Sequence, residues 1–228
     1  MNQLELIRDL KRPSGAKIVL LVLDGLGGLS QVPGGPTALE AAATPNLDRL
    51  AREGATGQTI PILPGITPGS GPAHLALFGY DPLLFRVGRG VLEAIGVGLR
   101  VEKGDVAARG NFCTLDSQGR ITDRRAGRLP SAHAAPLVER LSAIQVEGCE
   151  LLARHVREYR FALVLRGKGL GAQVTDTDPQ REGETPLLAA ARESGSEQTA
   201  RLLNSWIEQA HASLSDQPVA NGLTLRGF

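Results

Sequence analysis

The chain has 228 residues, with 25 Lys and Arg against 24 Asp and Glu, and a formal net charge of +1. That balance excludes bulk electrostatic binding to nucleic acid or to an anionic membrane surface. Apolar residues at 42%, charged residues at 21%, 28 Gly and 14 Pro with only 4% aromatics exclude a disordered chain and favour a loop-rich α/β protein over a helical bundle.

Lys17–Leu23 is short and β-branched, with a continuous apolar run from Ile18, the pattern of a strand buried on both faces. It runs into Asp24-Gly25-Leu26-Gly27-Gly28, a loop at its carboxyl end. Thr44-Pro45 opens a helix, Thr44 as N-cap and Pro45 in the first turn. Leu47, Leu50 and Ala51 form its apolar stripe, and Gly54 ends it. Gly57–Ile60 is a further strand, residues 61–69 a loop, and Gly71–Gly79 a short helix. This β-α-β-α order predicts a parallel sheet.

The texture changes near Arg86–Gly104, with a domain boundary expected near Gly96–Gly104. Val106–Leu115 and Arg120–Asp123 read as antiparallel strands around a Ser117-Gln118-Gly119 turn. A helix is expected over Pro136–Ile144, and strands over Arg160–Arg166 and Ala172–Thr175. Thr185-Pro186 opens another helix, broken at Ser194-Gly195-Ser196. The next helix carries Leu203, Ile207, Ala210 and Leu214 on one face. Ala220–Arg226 is a last strand, expected to enter the parallel sheet. The fold class is therefore α/β with an α+β segment set into it.

Cys113 and Cys149 match no zinc spacing and cannot build a disulfide framework, so buried reduced thiols are expected. The six-residue run Ile18–Leu23 is far below the ~20 residues needed to cross a bilayer. Residues 1–12 lack a cleavable signal pattern, and a cytoplasmic location is the expectation.

Three groups carry chemistry. Pro68-Gly69-Ser70-Gly71-Pro72 is a good helix entrance, so Ser70 sits at the N-cap or first turn, where free N–H groups and the helix dipole favour an anion. Its plain alternative is simple capping. Asp24, at a strand end and followed by glycines, can reach a hard metal ion, or it can merely form an Asp-Gly turn. Asp123-Arg124-Arg125-Ala126-Gly127-Arg128 packs three arginines into six residues, and arginine grips phosphate and carboxylate groups bidentately. Arg109, Asn111 and Arg166 join it if their strands lie alongside. Asp176-Thr177-Asp178-Pro179 supplies paired carboxylates for capping, or for orienting an arginine.

The ordered set of Asp24-Gly25-Leu26-Gly27, Thr44-Pro45-Asn46-Leu47-Asp48, residues 68–75, Gly79-Tyr80-Asp81-Pro82, Gly88-Arg89-Gly90, residues 104–107, 109–114, 123–128 and 163–167, Asp176–Pro179 and residues 220–227 resembles the archaeal-type cofactor-independent phosphoglycerate mutases of the alkaline phosphatase superfamily. The resemblance spans nearly the whole chain. It implies a partial alkaline-phosphatase-like parallel-sheet core in residues 1–98, an inserted α+β domain in 99–214 that closes over substrate, and a return strand to the core in 215–228. It implies that Ser70 carries a phosphoserine intermediate while phosphate moves between the 3- and 2-hydroxyls of glycerate. Asp24 and Ser70 would be ligands of two divalent metals (Mn, Mg, Co or Zn). Arg109, Asn111, Asp123, Arg124, Arg125, Arg128 and Arg166 would bind phosphoglycerate. Further Asp and His metal ligands belong to a second half of the core absent from this sequence. The chain is thus expected to act as an N-terminal portion, with self-association or a complementing C-terminal half as partner. A non-catalytic phosphoglycerate-binding module and a related phosphatase or phosphonate-processing enzyme are the alternatives.

Overall fold

A computed structural model describes residues 3–23 and 25–228. Among the described residues, five helices precede the first strand: α1 (Gln3–Leu10), α2 (Ala38–Ala41), α3 (Pro45–Glu53), α4 (Ser70–Leu77) and α5 (Arg89–Gly96). The rest builds one sheet from β1 (Val106–Leu115), β2 (Ile121–Asp123), β3 (Glu150–Arg157), β4 (Arg160–Arg166) and β5 (Gly222–Arg226), with helices α6 (Ser131–Ser142) and α7 (Glu197–Leu214).

The sheet is antiparallel throughout. Arg109, Gly110 and Asn111 pair with β4 on one side and β5 on the other, which makes β1 central. Strand alternation sorts its side chains onto two faces. Ala108, Phe112, Phe161, Leu163, Leu223 and Leu225 enter one core with Leu137, Leu141, Leu203, Trp206 and Leu214 of α6 and α7. That core requires Gly110, because a Cβ there would lie 2.1 Å from the Phe161 ring. Phe161 in turn packs against Phe112 and Trp206, with centroids 5.2 and 6.3 Å away. On the opposite face Ala107, Ala162 and Val164 form a small apolar patch with Ala94 of α5. The remainder of that face is polar and carries Arg109, Asn111, Arg160 and Arg226.

The free edge of β5 is strapped by residues 176–178. The Thr177 N–H donates to the Leu225 carbonyl (2.8 Å), the Leu225 N–H donates to Thr177 Oγ1 (2.7 Å), and the Gly227 N–H donates to Asp176 Oδ1 (2.8 Å). The strap satisfies edge groups that would otherwise template pairing with another chain.

The mix of helices and sheet is consistent with the α/β class, and several elements differ from expectation. No strand forms at Lys17–Leu23 or Gly57–Ile60. Without a neighbouring strand there is no ladder to accept their backbone groups, and among the described residues there is no parallel pairing at all. Ile18 is 97% and Val19 89% exposed. Leu47 and Leu50 of α3 face solvent instead of forming a buried stripe. The Thr44 hydroxyl donates to Asp48 Oδ1 (2.8 Å) rather than capping a backbone amide. The helix expected at Thr185 is extended chain, because its amides bond across to residues 173–177: Leu187 to Thr177 (2.9 Å) and Arg192 to Gln173 (2.7 Å), with Thr175 donating to Ala190 (2.8 Å). The strand expected at Ala172–Thr175 is reduced to a single bridge, Val174 to Ala191. The last strand forms, but pairs antiparallel with β1. Among the described residues no helix is long and apolar enough to cross a membrane.

Candidate functional site

Ser70 is the first residue of α4, behind an extended Gly69 that provides no side-chain cap. Its hydroxyl is therefore not spent on capping, and the first amides of the helix lack a side-chain acceptor. His74, one turn on, holds the helix start through a 2.7 Å bond between its Nδ1 and the Ser70 carbonyl.

Ser70 opens onto a cavity of about 830 Å³ between α4, α5 and the polar face of the sheet. Arg89, Arg109, Arg157 and Arg160 line it, with Glu93 as the carboxylate among them. Arg109 Nε lies 3.4 Å from Glu93 Oε1, yet the N–H is not aligned on it and remains without a hydrogen bond. Arg160 Nε and Asn111 Oδ1 are likewise buried without partners. Arg160 sits 5.8 Å over the Tyr159 ring. Burial above all pulls the Arg109 guanidinium below its usual range, and Arg160 and Arg89 push the same way against Glu93 and Tyr159. Arg109 and Arg160, half-buried and each with a buried Nε short of an acceptor, beside the exposed Arg89 and Arg157, make a receptor for a compact polyanion.

A second arginine group meets on Asp178, whose side chain is 3% exposed. Arg124 reaches it through Nε (3.2 Å) and Nη2 (2.8 Å), and Arg226 through Nη1 (3.3 Å). The hydrogen bond that Arg124 donates to Asp178 is the main reason the Arg124 pKa rises. Asp178 thus takes the arginine-orienting option. Asp123 builds the adjoining turn: its carboxylate accepts from the Arg125 N–H (2.7 Å) and the Gly127 N–H (2.6 Å). Ala126, Gly127 and Arg128 there all have positive φ, of 46°, 62° and 53°. Each non-glycine in that region costs roughly 1–2 kcal/mol, and the Asp123 bonds offset part of it.

The sequence-derived residues therefore separate. Arg109 lines the cavity with Ser70, and Asn111 lies beside Arg160 in the β1–β4 register. Arg124 is tied to Asp178, while Arg125 is exposed and Arg128 lies 3.8 Å from Glu158. Arg166 forms a bidentate pair with Asp105 (3.1 and 2.8 Å) and donates to the Arg100 carbonyl (2.9 Å), at the opposite end of β4 from Arg160. Asp24 lies outside the described residues. Sequence reading missed Arg89, Glu93, Arg157 and Arg160 as cavity residues. The Asn111–Arg160 pairing was the signal for one of them, and it needs the strand register to be known. Among the described residues no three His, Cys, Asp or Glu side chains cluster as a metal site. Cys113 is buried on the polar face, and burial, then Asp178 and Asp123, push its thiol up to about 12.

Residues 51–220 match the model of the 2,3-bisphosphoglycerate-independent phosphoglycerate mutase family. The whole chain is 51% identical to a probable 2,3-bisphosphoglycerate-independent phosphoglycerate mutase of Thermus thermophilus, covering 56% of it. A protein of the same description from Thermotoga maritima is 47% identical over 98% of the chain and 56% of its own length. The chain thus spans little more than half the length of these curated relatives. Among solved structures, a cofactor-independent phosphoglycerate mutase from Thermoplasma acidophilum is similar with a TM-score of 0.59 at 34% identity, over 68% of this chain and 45% of that one. The PH0037 protein of Pyrococcus horikoshii is similar with a TM-score of 0.59 at 27% identity, over 82% and 44%.

Proposed function

Because the chain belongs to the 2,3-bisphosphoglycerate-independent phosphoglycerate mutase family, we propose that it carries the nucleophile and the substrate-holding face of a mutase interconverting 3- and 2-phosphoglycerate. One observation supports this most: Ser70 opens onto the same cavity as Arg109 and Arg160, whose buried Nε groups lack acceptors.

In this reading Ser70 Oγ forms a bond to phosphorus as the phosphate–glycerate bond breaks, and its proton passes to the released glycerate oxygen. The arginines hold glycerate while its other hydroxyl takes the phosphoryl group back. Holding the intermediate in place turns the return step into an intramolecular one and keeps water from competing. Arg109, Arg160 and Asn111 face the phosphoglycerate, and the Asp123–Arg128 turn with Arg124 on Asp178 closes one side. Arg166, committed to Asp105, fixes the start of β1 against the end of β4.

Two divalent cations belong to the same proposal, with Ser70 and Asp24 as the donors this chain offers. The described residues do not complete such a ligand set, so the steps above use the chain's own side chains. The division into 1–98, 99–214 and 215–228 is part of the proposal too. It assigns Ser70 and Arg89 to the core portion, Arg109, Asn111 and Arg160 to the inserted portion, and Arg226 to the last segment. The solvent-facing run Ile18–Leu23 favours either self-association or a complementing C-terminal half, in a cytoplasmic setting.

The test is phosphate incorporation into Ser70 from labelled phosphoglycerate in the protein of full family length. Turnover retained by Ser70→Ala would end the assignment. Calorimetry on the 228-residue chain addresses the binding-module alternative: phosphoglycerate binding indifferent to a chelator, with no labelling of Ser70 in the longer protein, favours it.

A further inference from the structure

The geometry points to Arg89 as the residue that grips the phosphoryl oxygens carried on Ser70, an assignment that rests on the phosphoserine reading above. Arg89 belongs to none of the ion pairs formed by the described residues. Glu93, one turn further along α5, is turned to Arg109 instead. The Arg89 guanidinium lies against the entrance of α4: a Cβ placed on Gly69 would be 3.3 Å from Arg89 Nη2. Gly69 immediately precedes Ser70 and leaves the first amides of α4 without a side-chain cap. A phosphoryl group on Ser70 Oγ would therefore meet helix amides on one side and an uncommitted planar guanidinium on the other, the pairing that suits bidentate phosphate contacts.

The backbone holds Arg89 there from both flanks. A Cβ on Gly88 would lie 2.6 Å from the Phe228 carbonyl oxygen, and one on Gly90 would lie 2.3 Å from the Ala107 carbonyl oxygen. The Gly90 N–H donates to the Gly227 carbonyl at 2.8 Å. Gly88 and Gly90 thus let the segment press against the residues after β5 and against β1 at once. Arg89, between them, is fixed to the arginine-bearing sheet while its side chain reaches α4. The Gly88-Arg89-Gly90 motif acquires a physical reason: two close approaches set one cation beside the nucleophile.

The experiment uses the 228-residue chain with phosphoserine installed at position 70, followed by NMR at one fixed pH well above the second ionisation of phosphoserine, which lies at about pH 6. Relative to the unphosphorylated chain, phosphoserine should shift the Arg89 side-chain N–H resonances, and the phosphorus resonance should differ from that of a free phosphoserine peptide. Arg89→Ala should return the phosphorus resonance to the free value, and Arg192→Ala should leave it unchanged. Because the Arg89 side chain is exposed, these variants are expected to fold, and circular dichroism checks it. Identical phosphorus resonances in wild type and Arg89→Ala overturn the assignment, whatever the mutase reading does. Failure of Ser70 labelling in the longer protein sinks that reading instead, and the two failures are read from different samples.

Discussion

Replacing Asp178 by Asn tests whether the arginine face is held by a buried charge. The carboxylate accepts from Arg124 twice, from Arg226 once and from the Gln180 N–H at 2.8 Å. Asn keeps the shape but removes the charge and turns an NH₂ donor toward one of the guanidinium groups. Breaking a buried ion pair by neutralising one partner costs about 3–5 kcal/mol. Here the arginine side chains are 30% and 20% exposed, so solvent recovers part of their hydration and the lower end, about 3 kcal/mol, is expected. At roughly 2–4 °C per kcal/mol for a chain of this size, the thermal midpoint should fall by about 6–12 °C. Urea unfolding followed by circular dichroism gives the free energy directly, and an unchanged slope shows that the unfolding reaction is the same. The exposed Asp216, paired with Arg140 at the surface, serves as control, and its Asn variant should leave the midpoint in place. A loss under about 1 kcal/mol at Asp178, the range of a surface pair, would refute the argument that Arg124 and Arg226 are positioned by it.

His211 should give stability a pH dependence of known sign. Its Nε2 lies 3.3 Å from both the amide nitrogen and the carbonyl oxygen of Leu223, and burial lowers its pKa below 6.5 against that carbonyl. The unfolded chain then binds the proton first, so the contribution is complete above pH 6.5 and declines as pH falls toward the folded value. His211→Gln should flatten that part of the profile measured by urea unfolding, and an unchanged slope would refute it. The two thiols should label differently at pH 8. Cys113, buried and pushed up to about 12, should resist a maleimide in the native chain, whereas Cys149, less buried and raised only by desolvation, should react first. Equal rates, with the protein folded, would contradict the buried position of β1. Removing the Arg109 side chain should weaken phosphoglycerate binding by at least tenfold in calorimetry, and an unchanged affinity would remove the cavity from the substrate's path.

What the sequence disclosed, and what it hid, follows from the range of the forces involved. Val106–Leu115 and Arg160–Arg166 were legible because β-branched and aromatic residues in short runs need no distant knowledge. The face of α7 was legible because Leu203, Ile207, Ala210 and Leu214 repeat with the helical period. The segment after Thr185 misled because a cap-and-proline signal is local, while its amides are claimed by residues 173–177. β3 carries Glu150, Arg154 and Arg157 and has no strong local strand pattern, so it exists through its register with β4. Lys17–Leu23 shows the converse, since strand-like composition without a neighbour gives no strand. Ser70 at a helix start was readable from its flanking glycines and prolines. The arginines around it were not, because Arg89, Arg109 and Arg160 are separated in sequence by 20 and 51 residues and meet only once the sheet is paired.

That meeting has a physical consequence for how the site should be altered. A central strand covered on both faces normally carries apolar residues on both, and on this face of β1 the apolar residues are Ala107, beneath α5, and Cys113. Two residues after Ala107 the same face carries Arg109, and its neighbour Asn111 pairs with Arg160 across the ladder. The opposite face of the same residues, Ala108, Gly110 and Phe112, packs tightly against Phe161 and Trp206. Rigid packing on one side therefore fixes the spacing of cations on the other, and a guanidinium with a buried, unpartnered Nε cannot relax by swinging into water. Substituting Arg109 by an apolar residue should weaken the hold on a phosphorylated anion and also destabilise the fold, since Glu93, 3.4 Å away and largely buried, would be left without its cation. Arg109→Lys keeps a cation beside Glu93 but loses the planar fork, so binding that falls while stability is retained separates the ligand role from the structural one.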